Sequence, residues 1–538
     1  MRKLLCILLA LPLLARAPLT RAERSNFTET STYQDVMELL WSLKASSNKL
    51  KIEFLATSAE GRKIPLAIVS QEGIKTPQEA RALGKEVVYI EANIHAGEVE
   101  GKEASLMMIR DLVQGKHPEL LKNQVVLFCP IFNPDGNEKF GRHRSEDNGP
   151  ALAGVRYNGQ GLDLNRDFIK QESPEVRGLV KALVKWDPVL FVDMHTTDGV
   201  YNRHVVTWQP QMAPWTDRAL ISYSWEIMFP EINSTMQKLG FRPIPYGNFL
   251  DRKNPEKGWG FWAVGARYGT NYVGLRNRFS ILDENYARAD FKTRVMGAYA
   301  FLKAILTFTS HHARQMREIE READLRAMEE VAGSSFGVEF DLKKVMDFEL
   351  LSYRFKIEKI PQEELKKYPS WFGGYLVKKT ELPATYHLSL YSPLKPKRSV
   401  KLPAGYIILP SAAHLVKILL RNGIAVEKIL RPFRAQVEEF KVEEIKASPL
   451  PFQGHHLKKV KGAYRVKTEK IPAGSFLVPL NQPLSRLAAV MLEPQSPDGF
   501  LTWGLLDATL VHEWSGKPWM VPIYRVATVP RVVAVVLK

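Results

Sequence analysis

The sequence predicts an α/β domain built on a mixed, mainly parallel sheet flanked by helices, followed by an α+β or mostly-β C-terminal region. Three observations carry that expectation. Short apolar, β-branched runs at 87–90, 125–132, 189–194 and 279–282 alternate with stretches of helical periodicity, which is the pattern of βα units. Several of these runs end in residues able to do chemistry, as ligand sites beyond the carboxyl ends of strands require. After Ser310 the alternation stops, and short strand-like runs with frequent Pro take over.

The elements follow in order. Residues 32–44 read as a helix, and 55–69 as a hairpin whose two apolar runs flank Glu60-Gly61. Residues 76–83 form a short polar connection. The run at 87–90 is a buried strand ending in His95-Ala96-Gly97-Glu98, and the next helix shows Ala104, Met108 and Leu112 on one face. The strand at 125–132 ends in Asn133-Pro134-Asp135-Gly136, a strong turn signal, and a Gly-rich loop runs from 137 to 161. A loop that long is functional or disordered. A helix at 176–186 leads to the strand 189–194, which ends at His195. Residues 210–240 read as largely helical and 241–269 as a Gly- and aromatic-rich loop, before a strand at 279–282 and a helix at about 289–307. Residues 311–331 form a charged linking helix with a thin apolar stripe. The region 336–538 is an accessory unit with one good helix, 414–421. The expected division is therefore a leader (1–22), a catalytic domain (23–310), a linking helix (311–335) and the accessory region.

Composition narrows the class. The chain has 538 residues, 45% hydrophobic and 25% charged, ordinary for a globular protein. Arg2 and Lys3 precede an apolar run at 4–14 too short to span a bilayer, and small residues at 15–17 and 20–22 offer cleavage sites. This reads as a secretory signal peptide, with an uncleaved anchor as the alternative. No later stretch is apolar enough to cross a membrane, so a secreted or periplasmic location is expected. Cys129 is the only Cys outside the leader, which excludes an internal disulfide and leans toward a bacterial cell envelope. The net charge of +17 is spread thinly, without the concentrated basic stripe and stacking aromatics of a nucleic-acid binder. Oligomeric state is not legible.

The chemistry concentrates at His95 and Glu98, Asn165 and Arg166, His195, and Glu284. His and Glu three apart on a strand-to-helix turn, joined by a His at another strand end, give two imidazoles and a carboxylate. That is the three-ligand set of a hydrolytic zinc site with an open position, for one ion. Such a site activates water and polarises a carbonyl, and it needs a separate carboxylate to move protons. Glu284 is the candidate, with Asp283 beside it as the competitor. Asp193 is either a partner that orients His195 or a structural acid. Cys129 reads as inert core.

In these features the chain resembles the zinc carboxypeptidases of the carboxypeptidase A/B type. HAGE at 95–98, NPDG at 133–136, LDLNRD at 162–167, DMH at 193–195 and SILDE at 280–284 fall in that family's order, over about residues 32–308. The resemblance implies His95, Glu98 and His195 as zinc ligands and Glu284 as general base. It implies Asn165 and Arg166 as the pair gripping the substrate's terminal carboxylate, a role suited to a guanidinium fork. It also implies an upstream arginine for the oxyanion, for which Arg144 is preferred to Arg142. Tyr246, Tyr268 and Tyr272 lie where many members carry a mobile tyrosine, in a segment that matches poorly, and the role is not assigned among them. Residues 482–507 resemble the C-terminal part of some long bacterial members. The expected activity is a zinc metallocarboxypeptidase acting on peptides with a free C-terminus. The alternatives are a murein peptidase or N-acyl amino-acid amidohydrolase on the same framework, and an inactive peptidase-fold binding module.

Overall fold

The computed structural model describes residues 18–144, 147–368, 372–510 and 520–537. The expected leader falls outside the described residues up to residue 17. Its last part does not: Thr20 caps the short helix Arg21–Arg24, and Ala22 is fully buried among Val99, Met107 and Val295.

The first part of the chain forms an eight-stranded mixed sheet. Its strands are β1 (Leu50–Thr57), β2 (Lys63–Val69), β3 (Glu86–Ala92), β4 (Gln124–Cys129), β5 (Leu190–Thr197), β6 (Val206–Pro210) and β7 (Ile244–Pro245). Two short strands that belong to another sheet follow, β8 (Asn248–Phe249) and β9 (Trp259–Gly260), and then β10 (Phe279–Tyr286). The spatial order is β1-β2-β4-β3-β5-β10-β6-β7, with β4, β3, β5 and β10 mutually parallel. Those central strands are buried almost end to end because helices cover both faces. On one face lie α1 (Tyr33–Ser46), α2 (Glu100–Val113) and, C-terminal to the sheet, the helix Phe291–Glu330. On the other lie α3 (Pro174–Trp186) and α4 (Gly269–Leu275). No helix among the described residues is long and apolar enough to cross a membrane.

Several elements differ from the sequence reading. The helices expected at 289–307 and 311–331 are one 40-residue helix, α5 (Phe291–Glu330). Nothing at Ser310 breaks it: no Pro or Gly intervenes, and the hydroxyls of Thr309 and Ser310 bond back to carbonyls of the preceding turn. Its apolar stripe continues through Ala313, Met316, Ala323 and Ala327. The strand β6 and the helix α4 sit almost wholly in stretches to which the sequence reading assigned no element.

Beyond α5 short strands do occur, such as Gly405–Ile408 and Val426–Ile429, but the first two are long. Ser335–Lys359 and Tyr375–Lys401 form one long antiparallel hairpin, which joins β9 and β8 in a four-stranded sheet. Pro383, Pro393 and Pro396 are tolerated because each sits beside a register shift, where the ladder is already interrupted. The last part is a seven-stranded, wholly antiparallel sheet with the helical segments Pro410–Leu415, Val416–Arg421 and Ser485–Leu492 against it. Its apolar side is continuous with the core beneath α3 and α4: Tyr406, Leu419, Leu487 and Trp503 share one cluster with Leu179, Trp186 and Tyr272.

Candidate active site

The carboxyl ends of β3, β5 and β10 converge on one cavity of about 300 Å³. His95 and Glu98 stand on the turn between β3 and α2. Asn93 makes that turn possible by taking a left-handed conformation (φ 65°), and its amide nitrogen donates to the carbonyls of Ala96 and Glu98. Gly97 is required by close approach, since a Cβ there would lie 2.8 Å from the Gly154 carbonyl oxygen and 2.9 Å from Arg144 Cδ. His195 and Glu284 are direct neighbours across the parallel pair β5–β10 and project to the same face. Asp283 points to the opposite face, fully buried, where Asn285 donates to it at 3.0 Å. The strand's period of two therefore separates the two acids, and Glu284 is the one in the cavity.

The three proposed ligands form a compact donor set. His95 Nδ1 lies 3.1 Å from Glu98 Oε1, His195 Nδ1 lies 3.1 Å from Glu98 Oε2, and the two Nδ1 atoms are 3.2 Å apart. A tetrahedral zinc ion with bonds of about 2.0–2.1 Å needs donors roughly 3.3 Å apart, so the spacing fits. The far nitrogens fit too. His95 Nε2 lies 3.0 Å from Asp163 Oδ1 and His195 Nε2 lies 2.9 Å from Asp193 Oδ2. With the proton held on Nε2 by these carboxylates, both Nδ1 lone pairs would be aimed at one point, which a cation would satisfy. Asp193 is thus the orienting partner of His195. Burial opposes charge on Glu98, but the two imidazoles hold its carboxyl well below the usual range. Burial likewise opposes charge on His195, but Asp193 and Glu98 hold its pKa well above the ordinary value.

Asp163, which the sequence reading passed over, is a hub. Its Oδ1 accepts from Asn165 N (3.0 Å) as well as facing His95, and its Oδ2 accepts from Arg156 Nε (2.9 Å), with Arg166 Nη2 at 3.8 Å. Burial raises its pKa, but His95, Arg166 and Arg156 bring it well below the carboxylate range. The signal was present: Asp163 lies in the same tract as Asn165 and Arg166. Arg166 also lies over the Tyr268 ring (4.5 Å). Asn165 lines the cavity but is turned inward, its Oδ1 accepting from Gly269 N (2.8 Å) and its Nδ2 lying 3.3 Å from His195.

Two arginines flank Glu98. Arg144 Nη1 and Arg156 Nη1 each lie 3.4 Å from Glu98 Oε1. Arg144 is anchored by Asp147 at 2.5 Å, whereas Arg156 also feels the charge of Glu284. Arg142 is exposed and does not line the cavity. Asn133 of the NPDG tract donates to the carbonyls of Ile94 and Arg156, so that tract ties the arginine loop to the ligand turn. Tyr246 and Tyr268 line the cavity, while Tyr272 is buried away from it against Phe168 and Asn422. Burial, with Glu98 and Asp193 adding to it against His195 and Arg156, pushes Glu284 up to about 8.

Residues 36–224 match the family described as zinc carboxypeptidase. The chain carries a zinc carboxypeptidase domain. With the carboxypeptidases to which it is similar, that domain makes the chain a peptide hydrolase. Among curated proteins it is similar to Carboxypeptidase 2 of Trichophyton rubrum, 22% identical over 526 residues, covering 93% of this chain and 88% of that one. Carboxypeptidase D of Homo sapiens is 31% identical over 130 residues, 21% of this chain and 9% of that one. Among solved structures, a metallo-carboxypeptidase from Burkholderia cenocepacia is 17% identical, with a TM-score of 0.39 over 52% of this chain and 70% of that one. The similarity to the Trichophyton protein runs well beyond the matched domain, into the C-terminal region.

Proposed function

We propose that the chain is an exported zinc-dependent metallocarboxypeptidase that hydrolyses the last amide bond of peptides. The observation that carries this is the convergence, in one cavity, of a two-His, one-Glu donor set, a carboxylate in register with it, and a guanidinium at the cavity's edge. His95, Glu98 and His195 would hold one zinc ion, with Asp163 and Asp193 fixing the imidazoles. Bound there, zinc would supply a Lewis acid for the scissile carbonyl and lower the pKa of water. Glu284 takes the proton from the attacking water and returns it to the leaving amine; its raised pKa suits it to hold a proton between those two steps. Arg166, held by the Asn165 carbonyl through Nη1 (2.7 Å), presents its remaining donors to the terminal carboxylate. Asn165 keeps the arginine and His195 in place. For the oxyanion, Arg156 is preferred because it lies 3.4 Å from Glu98 and its charge also reaches Glu284, and Arg144, equally close to Glu98, is the second.

The test is mass spectrometry of a mixed peptide library after incubation with the zinc-loaded protein, with C-terminally amidated peptides and Glu284→Gln as controls. Stepwise loss of single C-terminal residues, abolished by amidation and by the variant, is the expected result. Cleavage that ignores amidation, or cleavage confined to cell-wall peptides or N-acyl amino acids, would overturn the carboxypeptidase assignment.

A further inference from the structure

The C-terminal region contacts, at two points, the segments that carry Arg166 and Tyr268 into the cavity lining. The first is a tight turn at Phe452–His455, closed by reciprocal backbone hydrogen bonds (Phe452 N to His455 O, 2.8 Å; His455 N to Phe452 O, 3.1 Å). Its two central residues, Gln453 and Gly454, both have positive φ, 52° and 76°. Such a turn favours Asn-Gly or Gly-Gly, and Gln is a poor choice on conformational grounds alone. The Gln side chain has a use: its Oε1 accepts the backbone N–H of Asp163 at 2.7 Å, across 290 residues of sequence. Asp163 is the residue that faces His95, Arg156 and Arg166 together.

The second point is Asp498, 1% exposed, which accepts from Arg267 N (2.8 Å), Arg267 Nε (2.9 Å) and Trp503 Nε1 (2.9 Å). Gly265 leaves the room for it, since a Cβ there would lie 2.6 Å from the Asp498 carboxylate. Arg267 precedes Tyr268, whose ring carries the Arg166 guanidinium. Trp503 ties the two points together: it stacks with Phe452, and Lys170, which bonds the Arg166 carbonyl, lies 4.4 Å from its ring.

We propose that Gln453 and Asp498 are positioning residues for the carboxylate-binding end of the site, which makes the C-terminal region part of substrate recognition. Gln453 fixes the backbone from which Asp163 and Arg166 are aimed. Asp498 fixes the segment that places Tyr268 under Arg166. The proposal rests on the carboxypeptidase reading for its substrate, but not for its metal-site consequence.

The experiment uses the full-length zinc-loaded protein and the variants Gln453→Gly and Asp498→Asn. Glycine accepts φ 52°, so the turn survives while the acceptor for Asp163 is lost. Three quantities are read: the thermal midpoint, zinc affinity by chelator competition, and binding of an N-acetyl amino acid against its C-terminal amide. For Gln453→Gly the midpoint stays level or rises, zinc affinity falls about tenfold, the scale for loss of a partner behind a metal ligand, and preference for the free acid falls as well. Asp498→Asn lowers the preference for the acid and leaves zinc affinity unchanged. Should Asp498→Asn fail to fold, Gln453→Gly decides alone. Unchanged zinc affinity and unchanged acid preference in Gln453→Gly would overturn the proposal. A parent protein that binds acid and amide equally would instead refute the carboxypeptidase reading, with the zinc measurement still testing Gln453.

Discussion

Replacing Arg166 by Met tests the carboxylate grip most directly. Methionine approximates the aliphatic stem and removes the guanidinium that lies over Tyr268, and with it the charge and the donors. One guanidinium nitrogen is already engaged by the Asn165 carbonyl and another lies 3.8 Å from Asp163, so Arg166 is pre-aimed but not neutralised by a close ion pair. Hydrogen bonds to a charged group contribute about 1.5–3 kcal/mol each, and the side chain is only 19% exposed, so screening by water is limited. A loss of about 3 kcal/mol, roughly 150-fold in kcat/KM, is expected for a peptide with a free C-terminus. Arg166→Lys keeps the charge but not the fork and should fall in between, near roughly tenfold. The assay measures kcat/KM for a peptide and its C-terminal amide with the parent and each variant. The parent should discriminate strongly against the amide, and Arg166→Met should have lost most of that discrimination. An equal loss on both substrates would refute the assignment, because the arginine would then be acting on something other than the carboxylate.

Four further outcomes follow from the same geometry. Glu284→Gln should retain zinc and lose about 10²–10⁴-fold in rate; in the parent kcat/KM should fall as pH drops through the pKa of Glu284, with the midpoint below 8 once a cation binds beside it, and the residual rate of the variant should lack that limb. Asp163→Asn, read by chelator competition, should weaken zinc binding about 10–100-fold while the other two ligands stay in place. Arg156→Ala should cost about 3 kcal/mol in kcat with KM little changed, and more than Arg144→Ala does; equal losses would leave the oxyanion donor shared. A chain ending after α5 should be insoluble or give no cooperative melt, whereas a cooperative melt with retained zinc binding would show that the peptidase domain stands alone.

Much of the candidate site was legible because its residues sit next to strong local signals. His95, His195 and Glu284 each follow a buried apolar run, and strand alternation alone predicts that only one of Asp283 and Glu284 shares a face with His195. The parallel sheet was legible for the same reason. What failed were features set by contacts distant in sequence. Asp163 looks like one acid among several until the loop from 137 to 161 folds back and puts His95 and Arg156 against it. Arg156 was not weighed beside Arg144 because the sequence does not say which arginines of a long loop return to the turn; both do. The long hairpin was broken into short strands by its prolines, which the structure accommodates at register shifts. The unbroken α5 was split at a change in composition, although charge on an exposed face does not end a helix.

The same contrast explains why the C-terminal region looks like an appendage in sequence and does not behave as one in the fold. Its anchors to the peptidase domain are single polar side chains in unrelated local contexts. Asn422, fully buried, receives the Tyr272 hydroxyl and the Gln171 amide. The Ser485 hydroxyl donates to the Ala327 carbonyl, the Asn277 amide to the Pro483 carbonyl, and Arg486 pairs with Asp217 at 3.1 Å. Removing one side of such a contact leaves the other buried and unpaired or newly exposed beside apolar surface, at about 1–3 kcal/mol each where burial persists. Against a typical total stability of about 5–15 kcal/mol, a handful of these together with the uncovered faces of α3 and α4 is enough to abolish folding. Hydrophobic periodicity reveals which face of α3 or α4 is buried, but not what buries it. A region that supplies that cover can therefore also hold a segment of the candidate site, as Gln453 does at Asp163, without leaving any motif by which the sequence would announce it.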